Sequence, residues 1–139
     1  MQKQTKSAQE TQQLAKNMAS SFQGGEVLAL SGDLGAGKTT FVQGLAQALG
    51  VTANVNSPTF VLMKVYPANQ GAIKQLVHID TYRLSGPEDL LAIGFQDYLN
   101  RPDTVIVIEW AEKIRQLLPE STKDIKFDNL DENTRQLTF

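Results

Sequence analysis

Residues 26–50, EVLALSGDLGAGKTTFVQGLAQALG, constrain this chain more than any other stretch. An apolar run leads into glycines at positions 32, 35 and 37, and an amphipathic segment follows at once. EVLALS reads as a short buried strand. TTFVQGLAQALG sets Phe41, Leu45, Ala48 and Leu49 at helical spacing and stops at Gly50. Glycine loses more backbone freedom on folding than any other residue, so three in six positions need a reason. Either the stretch is a chance glycine-rich turn, or the backbone folds around something that side chains would block.

The pattern itself decides between these. Gly32-Asp33-Leu34-Gly35-Ala36-Gly37-Lys38-Thr39 matches G-x-x-x-x-G-K-[ST], the phosphate-binding P-loop, with the strand and helix that such a loop requires. The glycines let successive N–H groups turn into one concavity, and the helix starting near Lys38 adds the positive end of its dipole. The expected nucleotide-binding residues here are Gly35, Ala36, Gly37, Lys38, Thr39 and Thr40. Lys38 would neutralise the β- and γ-phosphates, and the Thr39 hydroxyl would be a ligand of Mg²⁺.

The rest of the chain supplies the frame. Ser7 and Glu10 form a capping box ahead of Leu14, Met18 and Phe22 at helical spacing, and Gly24-Gly25 ends that helix. SPTFVLMKVYP and IKQLVHID read as a hairpin around a PANQGA loop. GPEDLLAIGFQDYL opens like a helix with Pro87. TVIVIEW has the continuous apolar character of a strand covered on both faces. AEKIRQLL follows as a helix, and KDIKFDNL with TRQLTF as a second hairpin. This order predicts one domain over residues 1–139. Its class is α/β, a three-layer P-loop NTPase fold with a mixed, mostly parallel sheet flanked by helices and extended by hairpins. A right-handed crossover makes EVLALS and TVIVIE parallel, with their C-terminal ends on one side, where ligands bind in open α/β sheets.

Composition narrows the partners. The chain has 139 residues, a formal net charge of −2 and no cysteine. Without a basic excess, tight direct binding to nucleic acid is not expected. The lack of cysteine excludes disulfides and thiolate metal sites and accords with a reducing cytoplasm. The polar N-terminal stretch does not read as a secretory signal, and no run approaches the length of a membrane span.

A P-loop says phosphate, not reaction. Glu109 is the first charged residue after TVIVI, and parallel pairing would bring it near Thr39 as a second oxygen ligand for the metal. Asp80 ends the other strand; it suits orienting a water or holding the metal through water, and equally capping the turn before Tyr82. His78, the single histidine, reads as a core or turn residue rather than a base. Arg83 suits phosphate charge and a surface ion pair alike. Trp110 is open between packing, base stacking and partner contact, with packing the simplest. Ser57, Pro58 and Thr59 form either a γ-phosphate-sensing segment or a stiff turn. The guanine-reading motif N-K-x-D is absent, which favours adenine.

GDLGAGKTTF, NSPTF, HIDTYRL and VIEWAE, in this order and spacing, resemble the TsaE family, the small ATPase subunit of the bacterial machinery that makes threonylcarbamoyladenosine in tRNA. The resemblance runs from the first helix to IEWAEKI. It implies Mg²⁺-dependent ATP binding and hydrolysis that resets the transferase between rounds, with ATP or ADP as ligand and the TsaD and TsaB proteins as partners. It implies Lys38, Asp80 and Glu109 for activity, Thr39 and Glu109 for the metal, and Thr11 as an N-terminal nucleotide contact. Two other readings stand beside it: a small-molecule P-loop kinase, with PANQGA as its lid, and a nucleotide switch that does not hydrolyse.

Overall fold

A computed structural model describes residues 1–33, 35–58 and 61–139. Seven strands form one sheet: β1 (Gln2–Thr5), β2 (Val27–Gly32), β3 (Met63–Gln70), β4 (Ile73–Asp80), β5 (Thr104–Glu109), β6 (Lys123–Asn129) and β7 (Arg135–Thr138). Their order is β1-β7-β6-β2-β5-β4-β3. The central strands β6, β2, β5 and β4 are mutually parallel, and the antiparallel pairs β3–β4, β6–β7 and β1–β7 complete the two sides. The expected parallel pairing of EVLALS with TVIVIE is present, with Leu30 opposite Glu109.

Side chains alternate across a strand, and here the alternation divides the core in two. Leu28, Leu30, Val105 and Val107 face one way, toward α1 (Ala8–Ala19) and α2 (Lys38–Ala48). Val27, Ala29, Ile106 and Ile108 face the other, toward α3 (Pro87–Ala92) and the 3₁₀ turns at Phe95–Tyr98 and Ala111–Leu117. All six residues of β5 are buried, as a strand covered on both faces requires. Phe41 of α2 meets Phe127 of β6 edge-to-face, with ring centres 5.6 Å apart.

Several local expectations are corrected. β1 is an added edge strand: its QKQT sequence carries no apolar pattern, and only Thr5 is buried. β3 starts at Met63 rather than Ser57 and continues through Pro67 to Gln70, so PANQGA is mostly strand and the turn is Gly71-Ala72. Proline is tolerated there because β3 lies at the sheet edge. The helix read over residues 86–99 is a short α-helix, a Gly94 break at φ +81° and a 3₁₀ turn. AEKIRQLL is 3₁₀ with a kink at Ile114 rather than α-helix. The Ser7 cap is present, with Ser7 Oγ accepting from Glu10 N at 3.1 Å.

Candidate active site

The three parallel strands β2, β4 and β5 end together, at Gly32, Asp80 and Glu109. Gly32 turns the chain out of the sheet at φ +139°, and a Cβ there would lie 2.5 Å from the Phe127 carbonyl oxygen, so no other residue fits without a shift. The loop returns through Gly37, the N-cap of α2, at φ +96°. Ala36 N donates to Asp33 O at 3.1 Å and Phe41 N to Gly37 O at 2.9 Å, closing the loop and the first helical turn. Leu34, within the P-loop pattern, lies outside the described residues, as do Thr59 and Phe60.

Alternation on β4 and β5 puts His78, Asp80 and Glu109 on the face covered by α2, in line with Leu76, Val105 and Val107. Asp80 and Glu109 are register partners, both buried. Thr39 Oγ1 donates to Glu109 Oε1 and Oε2 at 3.1 and 3.2 Å. Glu109 Oε2 also lies 2.6 Å from His78 Nε2. Asp80 Oδ1 accepts from Tyr82 N at 2.8 Å and Oδ2 from Ser57 Oγ at 2.5 Å. Asp80 therefore caps the turn to Tyr82, one of its two expected roles, and lines the cleft as well.

Lys38 is buried and folds back over its own loop. Its Nζ donates to Gly32 O at 2.6 Å and Asp33 O at 2.9 Å, and it sits 4.2 Å from the centre of the Trp110 ring. Burial pulls its pKa below the ordinary lysine value and outweighs the nearby carboxylates Glu109, Glu112, Asp80 and Asp33, which act in the opposite direction. Trp110 adopts the left-handed conformation, φ +61°, rare for a bulky residue. Thr81 anchors it: Thr81 N donates to Glu109 O at 3.1 Å, and its hydroxyl donates to Trp110 O.

Lys38, Thr39, Asp80, Glu109 and Trp110 line one cleft of about 450 Å³. Residues 35–40 and Thr11 border it too, so the residues expected at the nucleotide and the metal lie together. Thr11 lies on the α1 face that also buries Ala15 and Ala19, and its hydroxyl pairs with Thr5 at 2.7 Å. Arg83 is exposed and is not part of the cleft lining. Sequence reasoning missed Glu132, Asn133 and Arg135, around the β6–β7 turn, and Ser7 and Ala8, which also line the cleft. It also missed the His78–Glu109 pair. The alternation of HID against VIE was the available signal for that pair.

Among the described residues, no cluster of three or more His, Asp or Glu side chains forms an all-protein metal cage. The oxygen donors of Thr39 and Glu109 are instead suited to a hard cation that takes few protein ligands. Their 3.1–3.2 Å separations are near the roughly 2.9 Å between neighbouring oxygens in an octahedral Mg²⁺ shell.

A strand, a glycine loop and a helix on a mixed sheet with a parallel centre, with acidic residues ending the neighbouring strands, make this a protein of the P-loop NTPase fold. The chain belongs to the TsaE family: the family model for threonylcarbamoyl adenosine biosynthesis protein TsaE matches residues 5–137. It is 40% identical over 135 residues to the tRNA threonylcarbamoyladenosine biosynthesis protein TsaE of Bacillus subtilis, covering 97% of this chain and 82% of that one. It is also 40% identical to the protein of that name from Treponema pallidum, covering 96% of both chains. Among solved structures, the crystal structure of Bacillus subtilis YdiB superposes with a TM-score of 0.80 at 34% identity, over 99% of this chain and 82% of that one. Among the described residues, no helix is long and apolar enough to cross a membrane.

Proposed function

We propose that this protein binds ATP with Mg²⁺ and hydrolyses it as the ATPase subunit of the tRNA threonylcarbamoyladenosine-modifying machinery, resetting the transferase between rounds. The observation that carries the reading is the Thr39–Glu109 contact at the mouth of the glycine loop. Main-chain amides of residues 35–40 and the α2 N-terminus would hold the phosphates. Lys38 would exchange its loop carbonyls for phosphate oxygens. Thr39 and Glu109 would hold Mg²⁺, which supplies charge neutralisation at the phosphates when bound. Asp80, which accepts from Ser57 and Tyr82, would orient the water that attacks the γ-phosphorus, releasing ADP and phosphate.

The tRNA-modifying context rests on the family, and TsaD and TsaB are the proposed partners. The kinase reading has little support: PANQGA, its candidate lid, is part of the β3–β4 hairpin. Asn69 N donates to Leu49 O at 2.8 Å, at the end of α2 remote from the loop. Phosphate release from ATP, measured with the chain alone and with TsaD and TsaB added, tests the proposal. Slow turnover alone and strong stimulation by the partners are expected; an arginine finger supplied in trans gives about 10³–10⁵-fold in other P-loop enzymes. Fast turnover by the isolated chain, or no binding of ATP, would overturn it.

A further inference from the structure

His78 is fully buried on β4, in line with Leu76 and opposite Val107, both apolar. Its Nδ1 has no hydrogen-bond partner among the described residues. A buried ring nitrogen without a partner is a cost that an apolar side chain at this position would avoid. Among the described residues, the polar contact the ring makes is to Glu109. A carboxylate only accepts, so Nε2 carries the proton and donates to Oε2 across 2.6 Å. The same Oε2 lies 3.2 Å from Thr39 Oγ1. One glutamate oxygen is thus held from within the sheet by His78 and from α2 by Thr39. Glutamate is long and flexible, and a ligating carboxylate is useful only when its direction is fixed.

We infer that His78 is a positioning residue: it aims the Glu109 carboxylate at Thr39, so that the oxygen pair is set for Mg²⁺ before the metal–nucleotide complex arrives. This rests on the nucleotide reading above. Glutamine places an amide N–H as many bonds from Cα as histidine places Nε2–H, and asparagine falls one bond short. The test is binding of mant-ADP to the full chain, in EDTA and across a Mg²⁺ titration, for wild type, His78→Gln and His78→Asn, with thermal melting of each. His78→Asn should raise the Mg²⁺ concentration for half-maximal effect by about tenfold, the scale of losing a group that orients a metal ligand, and leave EDTA binding unchanged. His78→Gln should restore most of the response. In a Glu109→Gln background His78→Asn should add nothing. If His78→Asn does not fold, His78→Leu, which fills space without a donor, takes its place with the same expectation.

An unchanged Mg²⁺ response in His78→Asn or His78→Leu, or equal losses with and without metal, would overturn the assignment of His78 alone. Wild type that fails to bind mant-ADP under either condition would remove the nucleotide reading, and this inference with it.

Discussion

Thr39 Oγ1, on the first turn of α2, donates to both carboxylate oxygens of Glu109, 70 residues away at the end of β5. The contact exists because β2 and β5 are parallel neighbours that end together, with α2 starting just beyond the loop that leaves β2. Replacing Glu109 with glutamine keeps an acceptor for Thr39 and His78 but removes the charge a cation needs. Glu109→Gln should therefore fold normally and retain nucleotide. ATP hydrolysis should fall by about 10²-fold or more, the equivalent of several kcal/mol of lost charge stabilisation. Parallel nucleotide-binding and phosphate-release assays check this. A variant that retains full biological function without hydrolysis would instead favour the switch reading.

Lys38 makes stability depend on pH. Burial lowers its pKa in the folded chain below the ordinary 10.5. Between the folded value and 10.5 the unfolded chain binds more protons, so the free energy of unfolding rises with pH across that window. Lys38→Met lacks this dependence. Urea denaturation of metal-free wild type and variant, from neutral pH upward, should show wild type gaining stability relative to the variant as pH climbs. Parallel profiles would refute the argument.

The sequence carried the sheet centre and the glycine turn between β2 and α2 because both have strong local signatures. A four-residue apolar run such as VIVI reads as a strand covered on both faces, and the tight turn out of β2 needs its glycines. β1 was invisible for the opposite reason: QKQT earns its place only by pairing with β7, a contact with the far end of the chain. The part of the cleft lining that comes from the β6–β7 turn was equally hidden. Glu132, Asn133 and Arg135 read as an ordinary polar hairpin turn until β6 and β7 carry them beside the loop. His78 was rightly read as a core residue; the alternation of HID and VIE put it on the face of Glu109, and the register that aligns Asp80 with Glu109 brought the two together.

Gly44 sets the spacing between α1 and α2. A Cβ at this position would lie 2.5 Å from Gln12 O and 2.6 Å from Gln12 Cα, both backbone atoms that cannot move aside. Gly44→Ala gains helix propensity but forces the two helices apart. Net destabilisation of about 1–3 kcal/mol is expected, the usual scale for overpacking. Because Thr11 neighbours Gln12 and borders the cleft, nucleotide affinity should weaken as well. Denaturant titration and calorimetric binding on the same variant test both effects; unchanged stability would show that α1 packs less tightly than its contact with Gly44 indicates.

Trp110 is the single tryptophan, and its ring lies 4.2 Å from the Lys38 ammonium. An ammonium over an indole face is held by the ring's quadrupole, so any departure of Lys38 alters the electrostatic field at the fluorophore. Under the proposed function, phosphates entering the loop would compete with the ring and with the Gly32 and Asp33 carbonyls for the same ammonium. The Trp110 backbone is held by the Thr81 hydroxyl on its main-chain carbonyl, and the ring packs against Tyr82, whose ring centre is 5.0 Å away, so the lysine is the part expected to respond. Intrinsic fluorescence should change on adding nucleotide, saturate with the affinity found by calorimetry, and vanish in Lys38→Met. A nucleotide bound by calorimetry with no change in emission would mean that Lys38 keeps its place against the ring, and that the phosphates are held without it.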